Sequence, residues 1–249
     1  MISVVIPAFD EAPALARLLP ALPERLDGRV VRPVVVNDGS TDGTSELART
    51  HGVPVVDLWP NQGKSAALRA GLAAVRSQPA TCVVLMDADG QHDPRALASL
   101  VRPVLAGDCD IVCGSRYLSD SRRLNTPFNR YLVRHLVVRS LHRRLGVRIT
   151  DPFSGYRCLA ASVVRMWEPR GDRYEAELEL LFDAVRNGWV VHEVAVARIY
   201  TGECSKMGAM GGPLVGRLRV LRQYAATIAR KTEELAAGPL TTDRGPPTS

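Results

Sequence analysis

Two acidic residues separated by one residue follow the most apolar run of the sequence. Asp87 and Asp89 come directly after Cys82–Met86, in the segment Asp87-Ala88-Asp89-Gly90-Gln91. Burying an unpaired carboxylate is costly, so packing does not explain the pair. Mg²⁺ usually binds one or two carboxylates and takes its other ligands from substrate phosphates and water. The spacing therefore predicts a divalent-cation site at Asp87 and Asp89, with Gln91 as a further candidate ligand.

Two other polar positions could contact a phosphorylated ligand. Lys64 opens a helix-like segment, where the helix dipole disfavours a cation unless an anion lies nearby. A complete P-loop is excluded because its first glycine would fall on Leu58. Asp38 directly follows the second apolar run and could accept hydrogen bonds from a base or ribose, although its segment could instead cap the next helix. The segment around Asp87 could likewise form only a turn.

Short apolar runs alternate with helix-like segments through the first 115 residues. Continuous apolar strands separated by helices predict a parallel sheet covered on both faces, with ligands bound beyond the carboxyl ends of the strands. The predicted strands are Ser3–Pro7, Pro33–Asn37, Pro54–Leu58, Cys82–Met86 and Ile111–Gly114, and the predicted helices are Ala12–Leu22, Thr44–His51, Lys64–Arg76 and Arg95–Leu105. We expect further strands at Ser154–Val164 and Trp189–Ile199, a helix at Ala176–Asn187, and a helix at Leu214–Ala236 with apolar residues at helical spacing.

Composition places the chain among ordinary globular proteins. Of its 249 residues, 46% are hydrophobic and 23% are charged, which argues against a disordered or fibrous chain. No run approaches the roughly 18 apolar residues of a membrane-spanning helix. Five cysteines without a Cys-x-x-Cys pair disfavour a disulfide framework or a zinc site. Because the first residues already form a strand-like run, we expect no secretory signal peptide and a cytoplasmic location.

Positive charge is concentrated in one segment. Between Ser121 and Thr150 there are eight arginines and no acidic residue, although the whole chain has a net charge of only +6. Such a segment predicts an anionic partner, namely a phosphorylated substrate, an anionic membrane surface or a nucleic acid; the alternative is a solvated helix face. Aromatic residues make up only 5% of the chain and do not alternate with these arginines, so we expect no nucleic-acid binding.

The polar segments occur in the order typical of a known enzyme family. Four of them resemble the signature of family 2 glycosyltransferases with the GT-A fold: Val5–Glu11, Asn37–Asp42, Asn61–Lys64 and Asp87–Gln91. Gly114–Tyr117 and Asp151–Arg157 extend the resemblance to the branch that transfers sugars to polyprenyl phosphate, such as dolichyl-phosphate mannose synthases. The resemblance implies an α/β fold with a doubly wound, mostly parallel sheet flanked by helices in a single domain.

This resemblance covers about residues 2–210 and divides the chain into three parts. We expect a GT-A domain at residues 1–212, an amphipathic basic helix at 213–237 and a disordered tail at 238–249. The basic helix could lie on an anionic membrane surface, which would make the protein peripheral at the cytoplasmic face, or it could pack over the sheet.

The resemblance also assigns roles to individual residues. A nucleoside diphosphate sugar would be bound by Pro7, Ala8, Glu11, Asp38, Lys64, Asp87, Arg198 and Lys206. A Mg²⁺ or Mn²⁺ ion would be held by Asp87, Asp89 and Gln91. The acceptor would be bound by Arg116, Arg130, Arg134 and Ser154, and the catalytic residues would be Asp89, Arg116 and Arg130.

The implied activity is a metal-dependent, inverting transfer of a hexose, with mannose and GDP-mannose favoured, to polyprenyl phosphate. A phosphate monoester is already anionic near neutral pH, because its second pKa is about 6, and needs no general base. A hydroxyl acceptor would need one, and Glu177 would be the candidate. The acids around Glu177 could instead simply favour a helix N-terminus. A nucleotide-sugar-binding protein without turnover is a further alternative.

Overall fold

Eight strands within the described residues form one mixed sheet. The computed structural model describes residues 1–118, 134–135, 137–139, 141–143, 148–171, 176–197, 199 and 226–234. The strands are β1 (Ile2–Ala8), β2 (Arg25–Leu26), β3 (Arg29–Asp38), β4 (Val55–Leu58), β5 (Cys82–Leu85), β6 (Ile111–Ser115), β7 (Arg157–Ala160) and β8 (Val191–Ala195). Their order is β2-β3-β1-β5-β7-β6-β8, with β4 paired to β3.

Most of the pairings in this sheet are parallel. Strand β1 pairs in parallel with β3 and β5, β3 with β4, and β6 with β8. Strand β7 runs antiparallel between β5 and β6, and the short β2 runs antiparallel to β3. The predicted mostly parallel sheet is therefore confirmed.

Helices cover both faces of the sheet. They are α1 (Ala12–Ala21), α2 (Thr44–Thr50), α3 (Lys64–Arg76), α4 (Leu97–Ala106), α5 (Ala161–Met166) and α6 (Ala176–Asn187), and a 3-10 turn at Pro94–Ala96 precedes α4. Residues 134–135, 137–139, 141–143 and 226–234 are also helical. None of the helices within these described residues is long and apolar enough to cross a membrane.

One predicted strand is only partly correct. The run Ser154–Val164 was expected to be a single strand, but β7 ends at Ala160 and α5 begins at Ala161. A short apolar run suits either a buried strand or a buried helix, and its periodicity does not separate the two. Both Val163 and Val164 are buried in the core from the helical conformation. The predicted strand Trp189–Ile199 is likewise shorter, spanning only β8.

The continuous apolar runs arise because both faces of the sheet are buried. Successive side chains of a strand point to opposite faces. Along β1, Val5 packs in the cluster beneath α3 and α6, whereas Val4 and Ile6 pack in the cluster beneath α1 and α4. The same alternation along β3 and β5 fixes the sheet between the two helical layers, so the carboxyl ends of the central strands share one edge.

Helix α3 approaches the sheet more closely than a side chain would allow. At Gly71, in the middle of α3, an added Cβ would overlap Cγ1 of Val5 and lie 2.9 Å from Cγ2 of Val36. Glycine therefore sets the distance between this helix and the centre of the sheet. That distance in turn fixes the position of Lys64, the first residue of α3.

We expect Gly71→Ala to lower the free energy of unfolding by about 1–3 kcal/mol, the usual cost of overpacking a core. Alanine gains up to about 1 kcal/mol of helix propensity over glycine, but the overlap with Val5 outweighs this gain. Urea unfolding followed by circular dichroism measures the change. Ala73→Gly, at an exposed position of α3, calibrates the propensity effect. An unchanged urea midpoint for Gly71→Ala would contradict the conclusion that Gly71 sets the distance between α3 and the sheet.

The helical residues 226–234 pack against α6 through ion pairs. Lys231 is 1% exposed, and its ammonium lies 2.9 Å from Asp183 Oδ1. Arg230 donates to Glu179 Oε1 at 2.7 Å. Of the basic residues of the predicted C-terminal helix, these two therefore face the protein. The rest of that helix, at 214–225 and 235–236, and the predicted tail lie outside the described residues.

Glu179 connects this contact to the rest of the core. Its other carboxylate oxygen accepts hydrogen bonds from the backbone N–H groups of Arg170 at 2.9 Å and Gly171 at 3.0 Å. Burial alone would raise the pKa of Glu179, but these hydrogen bonds and the Arg230 guanidinium lower it below its ordinary value. The side chain therefore acts as a buried anionic anchor between three segments.

Because folding lowers this pKa, charged Glu179 stabilises the fold above its unfolded value of 4.5, and the contribution is lost as the pH falls through the folded value. We expect Glu179→Gln to lower the free energy of unfolding at pH 7 by about 1–3 kcal/mol. The difference from the parent protein should shrink below pH 4.5. Urea unfolding across this range tests both expectations, with exposed Glu168→Gln as the control. A pH-independent difference would contradict the charge-based account.

Candidate functional site

The loops that follow β1 and β3 are joined by hydrogen bonds. The backbone N–H of Asp10 donates to Ser40 Oγ at 2.9 Å, and the Asp10 carboxylate accepts from the N–H of Thr41 at 2.8 Å. The N–H of Glu11 donates to Thr44 Oγ1 at 3.0 Å. These bonds fix the segment that contains Pro7, Ala8 and Glu11 at the carboxyl end of the sheet.

Asp42 stabilises the starts of two helices. Its carboxylate accepts from the backbone N–H of Ala12 in α1 at 2.9 Å and from that of Thr44 in α2 at 3.0 Å. Burial alone would raise the pKa of Asp42, but the hydrogen bonds from Thr44 and Ala12 lower it. Asp42 therefore satisfies the first backbone N–H of each helix from outside it, while the N-cap positions are occupied by Glu11 and Gly43.

Asp38 organises the loop that leads into α3. Its Oδ1 accepts from the N–H of Gln62 at 2.8 Å, and its Oδ2 accepts from the N–H of Gly63 at 2.8 Å and from Asn61 Nδ2 at 3.0 Å. Gly39, at φ +77°, allows this close approach, because an added Cβ would lie 2.8 Å from the Asn61 nitrogen. Asp38 thus has a structural task, and its contact with a nucleoside stays a prediction.

Lys64 lies between two carboxylates. Its Nζ is 2.6 Å from Asp87 Oδ1 and 2.7 Å from Glu177 Oε1, in a largely buried position. Burial alone would lower the pKa of Lys64, but the charges of Asp87 and Glu177 raise it well above its ordinary value. Burial would similarly raise the pKa of Asp87, but the Lys64 ammonium keeps it below its ordinary value. Both side chains are therefore charged at neutral pH.

The charge of Asp89 is less well compensated than that of Asp87, because the Lys64 ammonium does not offset the effect of burial on the pKa of Asp89. Burial and the neighbouring Asp87 charge raise the pKa of Asp89 to about 6, and its Oδ1 accepts from the N–H of Gln91 at 3.0 Å. A partly buried excess of negative charge and a donor set of carboxylate and amide oxygens fit Mg²⁺ or Mn²⁺. Within the described residues, no three or more His, Cys, Asp or Glu side chains form a metal-holding group.

His92 supports the acidic loop in a neutral state. Its Nδ1 accepts from the backbone N–H of Asp87 at 2.9 Å, and its ring stacks on Tyr156 with centroids 4.8 Å apart. Burial lowers the pKa of His92 to about 4. The sequence alone does not reveal this role, because the donor is a backbone N–H and the stacking partner Tyr156 is distant in the sequence.

On the other side of Asp87, a bidentate ion pair holds Arg116. Its Nε donates to Asp151 Oδ2 at 2.7 Å and its Nη2 to Oδ1 at 3.1 Å. Asp151 is fully buried, and its N–H and that of Thr150 donate to the Glu193 carboxylate at 3.0 Å and 2.8 Å. Burial alone would lower the pKa of Arg116, but Asp151 raises it above its ordinary value. Arg116 also helps to lower the pKa of Asp87.

Arg134 and Ser154 contact the same loop as Arg116. Arg134 donates to the carbonyl of Thr150 at 2.8 Å, and its guanidinium lies 4.1 Å from the centre of the Tyr117 ring. The N–H of Ser154 donates to the Asp151 carbonyl at 3.3 Å. These three predicted acceptor residues therefore converge on Thr150 and Asp151.

A buried arginine, Arg157, fixes the loop that carries Ser154. It is 1% exposed and donates to the carbonyls of Pro152 at 2.9 Å, Ser154 at 2.9 Å and Glu177 at 2.7 Å. In the sequence, Arg157 is notable only as the last residue of the motif Asp151–Arg157. Its partners are backbone carbonyls, which no residue pattern reveals.

The structure thus brings most of the predicted site residues to one edge of the sheet. Lys64, Asp87 and Glu177 are in direct contact, with Asp89 close to Asp87 and Arg116 close enough to influence the Asp87 charge. Arg130, Arg198 and Lys206 lie outside the described residues. The arrangement places fixed cations beside a partly buried pair of carboxylates, which is the chemistry expected where two anionic substrates meet.

Comparison with known sequences identifies the class of protein. Residues 3–162 match the family model of glycosyl transferase family 2. The chain therefore belongs to that family, and the resemblance stated from its motifs is confirmed. A glycosyltransferase activity follows from this membership and from the relatives described next.

Several curated relatives carry specific names. The chain is 31% identical over 209 residues to the polyprenol monophosphomannose synthase of Mycolicibacterium smegmatis, covering 78% of this chain and 75% of that protein. It is 30% identical over 229 residues to the undecaprenyl-phosphate mannosyltransferase of Micrococcus luteus, covering 85% and 89%. It is 31% identical to the dolichol-phosphate mannosyltransferase of Pyrococcus furiosus, covering 72% of this chain and 52% of that longer protein.

Solved structures confirm the GT-A-like fold. Glucosyl-3-phosphoglycerate synthase from Mycobacterium tuberculosis superposes with a TM-score of 0.72 and 25% identity, covering 94% of this chain and 80% of that one. That protein was crystallised with Mn²⁺, UDP and glucosyl-3-phosphoglycerate. A further structure of the same protein contains Mg²⁺ and UDP.

We expect Asp38→Asn to loosen the loop before α3. The amide group would replace one accepting oxygen with a donor, so the N–H of Gln62 or Gly63 would lose its acceptor, at a cost of about 1–3 kcal/mol in the free energy of unfolding. Faster hydrogen exchange at these two amides, measured by mass spectrometry, checks the local effect. Asp108→Asn, at an exposed acid, is the control. Unchanged exchange would show that Asp38 does not hold the loop.

Proposed function

We propose that this protein transfers a hexose, with mannose favoured, from a nucleoside diphosphate sugar to polyprenyl phosphate, with inversion and with Mg²⁺ or Mn²⁺. GDP-mannose is the favoured donor. The names of three relatives at about 30% identity support the acceptor and the sugar. The observation that carries the proposal is the contact of the Lys64 ammonium with the Asp87 carboxylate. Arg116 is close enough to help lower the pKa of Asp87.

On the donor side, Asp87, Asp89 and Gln91 would hold the metal ion, which when bound supplies positive charge to the departing diphosphate. The buried Lys64 ammonium adds a second, fixed positive charge at the start of α3. The loop held by Asp38 brings Lys64 to this point. Fixed charges of this kind stabilise a leaving group without the cost of reorganising solvent.

On the acceptor side, Arg116, Arg134, Ser154 and, outside the described residues, Arg130 would bind the lipid phosphate. Asp151 holds the Arg116 guanidinium at two atoms, and Glu193 holds the Asp151 loop. A rigidly held guanidinium orients a phosphate better than a flexible one. The phosphate oxygen is itself the nucleophile, so no group has to remove a proton.

A membrane surface is the natural location of this acceptor. The segment at 121–150 carries eight arginines and no acidic residue, which would attract anionic lipid headgroups. We therefore propose peripheral association with the cytoplasmic face of the membrane.

A second candidate is transfer to the hydroxyl of a soluble acceptor. Glucosyl-3-phosphoglycerate synthase from Mycobacterium tuberculosis, whose fold is similar, was crystallised with UDP-glucose and phosphoglyceric acid. A hydroxyl acceptor would call for a general base, and Glu177 is the candidate. A nucleotide-sugar-binding protein without turnover is a third candidate, for which Asp89→Ala should leave the cellular role unchanged.

A radiolabel transfer assay distinguishes these candidates. GDP-mannose, UDP-glucose and UDP-N-acetylglucosamine are tested with and without polyprenyl phosphate, in Mg²⁺, in Mn²⁺ or with a chelator. We expect product with polyprenyl phosphate and metal only. Product formed with phosphoglycerate in place of the lipid would support the second candidate.

We expect Asp89→Asn to lower kcat/KM for the donor by about 10²–10³-fold, the loss typical of removing one electrostatic contact to a transition state. The reason is that the neutral amide would hold the cation poorly beside Asp87. Asp108→Asn, at an exposed acid, should retain full activity. Full activity of Asp89→Asn would show that the reaction does not depend on a metal ion held by Asp87 and Asp89.

A further inference from the structure

Three separate elements meet at the Lys64 ammonium. Lys64 begins α3, Asp87 follows β5, and Glu177 lies in the first turn of α6. The two carboxylates are 2.6 Å and 2.7 Å from Nζ, and Glu177 is 8% exposed. The family resemblance implies no such partner for Lys64, and from the sequence alone Glu177 is a candidate only for a base or for part of an acidic helix start.

The position of Lys64 needs anionic support. An ammonium at the start of a helix faces the positive end of the helix dipole, and burial adds a desolvation cost. Glu177, in contrast, is favoured at the start of α6 by the same dipole. The ion pair therefore joins Lys64, whose charge the dipole of α3 disfavours, to Glu177, whose charge the dipole of α6 favours.

The two carboxylates that contact Lys64 differ in their other partners. Asp87 belongs to the acid pair proposed to hold the metal, so its charge is shared when that pair is occupied. Glu177 has no such second partner among the described contacts of its carboxylate. Glu177 is thus the carboxylate whose described ion pair is with Lys64 alone.

Glu177 is itself held firmly. Its backbone carbonyl accepts from Arg157 at 2.7 Å, and Arg157 is buried in β7. Gly155 leaves room for the contact of Lys64 with Asp87, since an added Cβ would lie 2.8 Å from Lys64 Nζ and 2.6 Å from Asp87 Oδ2. The fold therefore specifies where the Glu177 carboxylate lies relative to Lys64.

We propose that Glu177 is a positioning residue that holds the Lys64 ammonium against the donor diphosphate, and that it is not a general base. This inference rests on the proposed function, because it presumes a diphosphate donor. Glu177 Oε1 is engaged by the ammonium, and an anionic phosphate acceptor has no proton to remove. The effect of Glu177 on the reaction then passes entirely through Lys64.

The test compares Glu177→Gln, Lys64→Met and the double variant in the full chain. Titration calorimetry with GDP or UDP and Mn²⁺ measures nucleotide affinity without turnover, and the transfer assay gives kcat and KM for each substrate. We expect Glu177→Gln to weaken nucleotide binding by about tenfold, the value of one charge-assisted contact. The KM for polyprenyl phosphate should stay unchanged. Glu168→Gln, at an exposed acid, should behave as the parent.

The double variant separates positioning from base catalysis. If Glu177 acts through Lys64, adding Glu177→Gln to Lys64→Met should reduce kcat/KM by less than about twofold further, because the two effects are fully coupled. A base would instead give independent losses that multiply, and its removal would abolish the acidic limb of the pH profile of kcat. Losses that multiply in the double variant, or a missing acidic limb in the pH profile of Glu177→Gln, would overturn the proposal.

Folding and the underlying function are checked in the same experiment. Asp87 remains as a partner for Lys64 in Glu177→Gln, so we expect a thermal midpoint close to that of the parent. If the variant does not fold, Glu177→Asp, which keeps the charge but shortens its reach, takes its place and should also weaken nucleotide binding. Parent protein that binds neither nucleotide would refute the proposed function, whereas equal binding by parent and variant would refute only the role of Glu177.

Discussion

The contact of one buried ammonium with two carboxylates organises this end of the molecule. Lys64 could not lie at the start of α3 without anions, because both burial and the helix dipole oppose its charge. The fold supplies those anions from the loop after β5 and from α6, which are separated from Lys64 in the sequence. Gly71 allows α3 to lie directly on the sheet, and Asp38 fixes the loop before it. Each of these features sets the position of the same charged atom.

The cations on the acceptor side follow the same principle. Arg116 is paired with buried Asp151, and the loop of Asp151 is in turn held by Glu193 from β8. Arg157 uses three backbone carbonyls to fix the loop between these groups and Glu177. Every described cation of the site is thus held by an acid or by carbonyls behind it. Such support limits side-chain motion, so that little ordering remains to be done when an anionic substrate binds.

Much of this arrangement could be predicted from the sequence, because it depends on local order. Apolar runs gave the strands, and polar residues after them gave Asp38, Lys64, Asp87 and Asp89. The strand predicted at Ser154–Val164 ends at Ala160, and a helix begins at Ala161. Periodicity does not distinguish a strand from a helix in so short an apolar run. The partners of Lys64 and the roles of Arg157, Glu193 and His92 depend on contacts between distant segments and with backbone atoms. No residue pattern encodes those contacts.

The chemistry of the acceptor explains why such a site would have paired cations in place of a free base. When both substrates are anions, the main barrier to their meeting is mutual repulsion, and fixed positive charge reduces it. A carboxylate placed openly between them would add to the repulsion. Glu177 avoids this effect because the Lys64 ammonium neutralises it at 2.7 Å. The ion pair therefore lets an acid lie in the site and support a cation without repelling either substrate.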